Sequence, residues 1–257
     1  QSVAFENHCT EITNRMNIDH QNIKINIDSF SNIEEQCRNK RYSSLTEACG
    51  SDEVIFTAHH EEDQVETFLL RLLRGSGARG LSSMSHQSIY NNKIIYRPFL
   101  KVSKNIIEEY CHNNNVRYID DKTNNDNKFD RNFLRNNIIP ALKLRWPSIN
   151  KNLTNNIYIQ NIQQKFISDS ISITLSEFYG NNEQELDINK LNIQKSHIKI
   201  MIIHEWVFLQ SEVILNLKQI NEIIKILNTN NDSNPLFTYS KIKINKKRDF
   251  LILTIKS

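Results

Sequence analysis

The chain has 257 residues, of which 39% are hydrophobic and 24% charged, with a formal net charge of +3. That length allows one large domain or two ordinary ones, with enough apolar side chain for a core. A charge this small does not argue for nucleic acid by itself.

Residues 3–16 carry a helical pattern, and 24–27 (Lys-Ile-Asn-Ile) alternate like a strand. A second helix is expected over 32–48, with Asn32 as N-cap and Glu35 at the capping-box position. It carries Arg38, Arg41 and Tyr42. Arg38 and Arg41 stand at i, i+3 and can clasp one anion; solvated arginines on a surface helix fit that spacing equally well. Residues 53–57 are short, apolar and β-branched, which predicts a buried strand. A helix follows over 61–74, with Val65, Leu69, Leu72 and Leu73 at i, i+4, i+7, i+8 as one apolar stripe. Helix–strand–helix–strand–helix is the rhythm of a parallel sheet with crossover helices.

His59 and His60 fall where that strand ends and that helix begins. Glu61, Glu62 and Asp63 occupy the first helical turn, where the dipole favours acids. Asp63, Glu66 and Thr67 are spaced i, i+3, i+4 and share a face away from the Val65/Leu69 stripe. In open α/β sheets ligands bind beyond the carboxyl ends of the strands. Any one of these residues reads as part of a capped amphipathic helix. Two histidines and two carboxylates in helical phase at one strand end read as a site.

Arg74-Gly75-Ser76-Gly77-Ala78-Arg79-Gly80 then makes a helix C-cap and tight turn. Its glycines also let backbone N–H groups approach an anion between two arginines, but it is no Walker loop. Residues 93–100 read as a strand ending at Pro98, Ser103 caps a helix reaching Asn113, and 118–121 read as a short strand. A polar loop over 122–130 leads into Asp130-Arg131-Asn132-Phe133-Leu134-Arg135. Arg131 and Arg135, i, i+4, share one helical face, while Phe133, Leu134, Ile138 and Leu142 are expected to be buried. Arg145-Trp146-Pro147 closes the segment.

Helices are expected over 149–178, 195–210 and 216–228, with Met201, Ile202, Trp206 and Leu209 as an apolar side. Residues 236–244 and 250–255 alternate around a polar turn as a β-hairpin, made basic by Lys241, Lys243, Lys246, Lys247 and Arg248. The four cysteines, Cys9, Cys37, Cys49 and Cys111, form no C-x-x-C pair, the usage of a reduced, intracellular chain. The longest apolar run, 198–209, is too short to span a bilayer. No secretory signal opens the chain, so a cytoplasmic protein is expected.

Taken together these residues resemble the tRNA(Ile)-lysidine synthetases, a family of the N-type ATP pyrophosphatase class. The resemblance rests on Asn32-Ile33-Glu34 with Arg38, Arg41 and Tyr42, and on Ala58-His59-His60-x-x-Asp63-Gln64-x-Glu66-Thr67-Phe68-Leu69-Leu70. It continues through Leu73-Arg74-Gly75-Ser76-Gly77 with Gly80-Leu81, Arg97-Pro98, and Asp130 to Arg135 with Pro140 and Arg145-Trp146-Pro147. It implies an α/β catalytic domain over 1–147, a parallel sheet with crossover helices. A smaller, mostly helical tRNA-binding domain over 148–257, ending in a β-hairpin, would follow. The family's ATP loop, Ser-Gly-Gly-x-Asp-Ser, does not occur in these residues and is expected upstream of Gln1.

The resemblance further implies ATP, with Mg²⁺ carried by the nucleotide, and two other substrates: free L-lysine and an isoleucine tRNA with a CAU anticodon. ATP would adenylate the wobble cytidine at its C2 oxygen, and the lysine ε-amine would displace AMP. Asp63, Glu66, His60, Arg131 and Arg135 would be catalytic; Arg38, Arg41, His59 and His60 would face the phosphates; Arg74, Arg79, Arg135, Lys143 and Arg145 would meet tRNA. No protein partner beyond a homodimer and no membrane is implied. Three rivals stay open: a tRNA sulfur-transferase of the same class, a non-catalytic RNA-binding relative, and a metal-dependent phosphohydrolase using His59, His60, Glu62 and Asp63.

Overall fold

The computed structural model describes residues 2–27, 33–229 and 235–255. By contact the chain divides into two compact units, Gln1–Thr67 with Met84–Asn150, and Phe68–Ser83 with Lys151–Ser257. Residues 68–83 therefore pack with the second unit, although in chain order they lie inside 1–147.

In the first unit, α1 (Ser2–Met16) and α2 (Ile33–Ala48) precede β1 (Val54–Phe56). Helix α3 (Glu61–Leu73) follows; the unit division falls within it. Strands β2 (Gln87–Tyr90) and β3 (Lys93–Tyr96) complete a three-stranded sheet of order β1-β3-β2. β1 and β3 run parallel, with Ile55 beside Ile95, while β2 and β3 are antiparallel. The parallel β1–β3 pair is as expected, and the antiparallel β2 makes the sheet mixed. The reason is the Asn91-Asn92 turn: both residues have positive φ (46° and 60°), as a two-residue hairpin turn requires and as asparagine tolerates.

Tyr42, Ile55 and Ile95 form the small core between α2 and this sheet. Residues 24–27 form no strand. Ile23, Ile25 and Ile27 are exposed, and alternation alone cannot supply the ladder partners a strand needs. The stretch 118–121 is likewise irregular. The Asn32/Glu35 capping box lies outside the described residues and side chains.

Helix α5 (Lys104–Asn113) begins at Ser103 as expected, but the serine side chain makes no cap bond. After a 3₁₀ turn at Lys122–Asn125 come α6 (Asp130–Phe133), a π-helical turn (Leu134–Ile138) and α7 (Ile139–Arg145). Pro140 explains the π turn: it has no N–H to donate, and its ring crowds the carbonyl one turn back. Leu134 is buried and Phe133 is 46% exposed, so the expected buried face holds for one of these neighbours and not the other.

The second unit contains α4 (Ala78–Leu81), the 27-residue α8 (Ile149–Leu175) from Lys151 onward, α9 (Ile188–Asn192), α10 (Ser196–Ser211) and α11 (Leu217–Leu227). Strands β4 (Glu185–Asp187), β5 (Leu236–Tyr239), β6 (Ile242–Lys247) and β7 (Phe250–Ile255) form an antiparallel sheet of order β4-β7-β6-β5. The expected hairpin is therefore part of a four-stranded sheet, whose fourth strand is drawn from far upstream. Helices α10 and α11 cover it through Ile202, Ile203, Trp206, Val207, Ile220 and Ile223. Full burial of each such side chain contributes about 1.5–3 kcal/mol. Of the apolar side expected on α10, Ile202 and Trp206 are buried, while Met201 and Leu209 are exposed at 40% and 49%. Helix α11 opens with a complete capping box, Asn216 with Gln219. Among the described residues no helix is long and apolar enough to cross a membrane.

Candidate functional site

The site is built where β1 leaves the sheet at its carboxyl end. Thr57 N–H still donates to the Tyr96 carbonyl at 3.0 Å, so the chain stays beside β3 through Thr57, two residues before His59. His59 Nδ1 lies 2.9 Å from Thr57 Oγ1. His60 stands just before α3, and its N–H donates to Asp63 Oδ2 at 3.0 Å. That is half of a capping box, with an acid three residues into the helix reaching back to its start. The His60 ring has a carboxylate at each nitrogen: Glu62 Oε2 is 3.1 Å from Nδ1 and Asp63 Oδ2 is 3.5 Å from Nε2. Glu62 also accepts from Lys104 N–H at 2.8 Å, so an acid of α3 caps α5.

Four charged side chains meet beside this turn. Arg131 Nε donates to Glu66 Oε2 at 2.7 Å, and its Nη2 donates to Asp63 Oδ1 at 2.8 Å. Arg135 donates to both Glu66 oxygens, from Nε at 2.6 Å and from Nη2 at 2.9 Å. The two acids are one helical turn apart and so present together to the two arginines, themselves one turn apart on α6 and the π turn. Glu66 is almost sealed, its side chain 2% exposed, while Asp63 retains 13%. Such charge-assisted, two-pronged bonds fix geometry as well as charge.

The arginine segment is in turn held by amides. Asn132 Nδ2 donates to the carbonyls of Thr123 and Asp126, and Asn136 Nδ2 donates to Asn124 O and Asn127 Oδ1, all at 2.9–3.0 Å. The polar loop over 122–130 is thereby tied to the helix that carries Arg131 and Arg135.

A second group of cations lies by His59. Arg38 and Arg41 flank the Tyr42 ring at 5.8 and 5.7 Å. Arg97, at the carboxyl end of β3, is buried; its Nη1 donates to Ser85 O and to Ser88 Oγ, both at 2.9 Å. Burial pushes the His59 imidazole down to about 4; Asp63 opposes this, and Arg97, Arg131 and Arg41 add to it. His60 moves the other way, raised first by its hydrogen bond to Glu62, with burial opposing and Asp63 assisting. Between about 4 and the raised value of His60, His59 is therefore neutral while His60 carries a proton. Arg38 keeps an exposed side chain, yet the protein crowded about its charge lowers its pKa. Tyr42 opposes that shift, and Arg131, Arg97 and Arg41 add to it.

Of the expected site residues, His60, Asp63, Glu66, Arg131 and Arg135 converge, while His59, Arg38 and Arg41 belong to the cationic group. Arg74, Lys143 and Arg145 are exposed. Arg79 departs from its expected role as a tRNA contact. Its side chain is 11% exposed and pairs with Glu205 Oε2 at 2.5 Å, bonds Ser168 Oγ at 2.8 Å, and lies 3.6 Å from the Phe208 ring centre. A guanidinium so enclosed is a packing element of the second unit. Arg97 is the residue whose place at the site the sequence reading did not draw out; its signal was an arginine ending a strand parallel to β1. Among the described residues no three His, Cys, Asp or Glu are gathered to hold a metal ion.

Comparison with known proteins adds an independent line. A PP-loop domain profile matches residues 1–142. The tRNA(Ile)-lysidine synthase of Buchnera aphidicola subsp. Baizongia pistaciae is 37% identical over 259 residues, covering 99% of this chain and 59% of that protein. Those of Wigglesworthia glossinidia brevipalpis and Coxiella burnetii are 36% and 30% identical, covering 95% and 97% of this chain and 60% and 56% of theirs. The chain thus spans less than two thirds of the length of these curated relatives.

Proposed function

Because the chain belongs to the PP-loop family, we propose that it acts as a tRNA(Ile)-lysidine synthetase, a ligase joining free lysine to C2 of the wobble cytidine in an isoleucine tRNA with a CAU anticodon. ATP would activate the base, with AMP and pyrophosphate released, in the cytoplasm. The observation that carries this reading is the convergence of Asp63, Glu66, His60, Arg131 and Arg135 at one strand end. The names of the similar proteins agree with it.

The geometry suggests a division of labour. Glu66 is saturated by two guanidinium groups and sealed from solvent, so it orients Arg131 and Arg135. Asp63 is the more open acid, and it is the group for the lysine ammonium. The amine must be neutral to attack, and Asp63 is placed to take its proton. His60, with a carboxylate at each ring nitrogen, holds Asp63 in position. Arg131 and Arg135 each spend Nε and Nη2 on the acids. Arg135 is the more exposed, 34% against 26%, so Arg135 is the better candidate for the lysine carboxylate or an RNA phosphate.

Charge developing on the departing pyrophosphate needs nearby cations, a part that falls to Arg38 and Arg41 with neutral His59 as a donor. Mg²⁺ would be carried by the nucleotide. The target base must leave its stack to react.

Lysine incorporation into tRNA by the full-length protein tests the reading. Asp63→Ala should abolish it, with folding intact; retained activity would remove Asp63 from the chemistry. Glu66→Gln should weaken the fold by about 3 kcal/mol, because two partly buried arginines lose the more buried of the two carboxylates they share. An unchanged urea midpoint for that variant would refute the orienting role.

A further inference from the structure

The chain has two tryptophans. Trp206 is fully buried in the second unit, while Trp146, in the first, keeps 55% of its surface exposed. A lone exposed aromatic needs no explanation, but this one is held rigidly and set among cations. It ends α7: its N–H donates to the Leu142 carbonyl at 2.7 Å, and its carbonyl accepts from Ile149 N–H, at the start of α8, at 2.9 Å. Pro147 follows, and a residue before proline is kept out of the helical region. Trp146 accordingly lies at φ −130° and ψ 86°, so the indole is presented from a stiff joint between two helices. The Arg145 guanidinium stands 6.0 Å from its ring centre, at cation–π range. Lys143 precedes it by three residues, about one helical turn, and so lies on the same side. Both cations are exposed. From 131 to 168 the sequence carries Arg131, Arg135, Lys143, Arg145, Lys151 and Lys165 and no acid. The fold gives Arg131 and Arg135 to Asp63 and Glu66; no acid close in sequence answers Lys143 or Arg145. Cations in the last turn of α7 also suit its dipole, which accounts for the charges and leaves the exposed indole unexplained.

We propose that Trp146, with Arg145 and Lys143 beside it, is a stacking platform for an unpaired nucleobase of the tRNA substrate. This rests on the proposed synthetase reading, which supplies the RNA, and adds a base contact where only phosphate contacts were expected. Unpaired RNA is held by this combination: an aromatic face for a base, and cations for the phosphates joined to it. A protein partner fits less well. Leu144, 88% exposed, is two residues from Trp146 and so turns to another side of the helix. The groups beside the indole are cations, and the cores of protein interfaces are depleted of charge. The placement singles out a particular kind of base. α6, the π turn and α7 follow one another without a break, and Arg145 lies about 15 Å along that helical run from Arg135. The base on Trp146 is therefore a neighbour of the reacting base and not the reacting base itself. Stacking it recovers part of what drawing the target out of its stack costs.

The test is titration of an unmodified isoleucine tRNA transcript into the full-length protein, read by filter retention and by tryptophan emission. The unaltered protein should show quenching that Trp146→Phe loses, while that variant largely keeps its affinity because phenylalanine still offers a face. Trp146→Ala and Trp146→Leu should each weaken binding about fivefold or more, the loss of one base stack; leucine keeps apolar bulk without an aromatic face. Neither should change the slope of the logarithm of affinity against that of salt, since a stack releases no counter-ion. Lys143→Ala and Arg145→Ala should each reduce that slope by about 0.7–0.9. If the alanine variant of Trp146 unfolds, the leucine variant decides. Unchanged affinity in a folded Trp146→Leu protein overturns the platform, as does quenching that persists undiminished in Trp146→Phe. Weaker self-association of the variants with unchanged RNA affinity assigns the indole to a second copy of the chain and likewise overturns it. Lysine incorporation into the same transcript is measured alongside. If the unaltered protein incorporates none while the Trp146 quenching holds, the synthetase reading fails and the platform stands; if it does, with tRNA affinity indifferent to Trp146, the platform alone fails.

Discussion

Two adjacent histidines give the site its most direct pH signature. His59 is depressed to about 4 by burial, so between about 4 and its ordinary value the unfolded chain binds a proton that the folded chain refuses. Stability therefore falls as pH drops through that window. His60 is raised by Glu62, so its contribution is full below its ordinary value and is lost as pH climbs through the folded value. His59→Gln should flatten the acid-side loss in urea unfolding midpoints, and His60→Gln should remove a loss on the alkaline side. In an NMR titration the His60 ring should protonate first as pH is lowered; the opposite order would contradict this charge assignment. The spacing of Asp63 and Glu66, and their place after a strand, were legible as helical phase. That Glu66 is sealed and Asp63 open was not, because exposure depends on what packs above a helix face.

At the scale of elements, the amphipathic helices, β1 and β3 follow from periodicity. The terminal hairpin forms where expected, within a larger sheet; strands 24–27 and 118–121 do not form, because a strand exists only where a neighbour completes its ladder. The β2–β3 hairpin had a local signal, the Asn91-Asn92 pair between apolar residues, which a parallel-sheet reading passed over. Arg79 teaches the converse. An arginine in a glycine turn suggests an anion, yet here it pairs with Glu205, 126 residues away. Arg79→Met would leave Glu205, 2% exposed, buried without its counter-ion and should cost about 3–5 kcal/mol. Adding Glu205→Met should restore much of that, as apolar replacement of a whole buried pair often does. If the double variant is no more stable than the single one in urea melts, the pair is not the cause.

For the molecule as a whole, the modest charge of +3 places any grip on RNA in local groups of cations. Arg74, Lys143 and Arg145 are exposed and remain candidates; Arg79 does not. Three phosphate contacts give a slope of about −2 to −3 for the logarithm of tRNA affinity against that of salt. Replacing all three by Ala should bring the slope towards zero. A slope that stays steep would move the RNA contacts elsewhere, with the lysines of β6 next to be tested.

Fold class and the short-range geometry of the site can be read from the residues in order, because helical spacing and strand-to-helix turns are local properties encoded over a few positions; the family came from the resemblance of whole motifs. Which charges neutralise one another needed the folded chain. Glu66 and Arg131 are separated by 65 residues, and no periodicity reports a meeting at that range. Arg97 looked like the end of a strand, and only packing showed a buried cation bonded to Ser85 O and Ser88 Oγ. Closure of the chain, not composition, decides whether a charge is solvated, paired or buried.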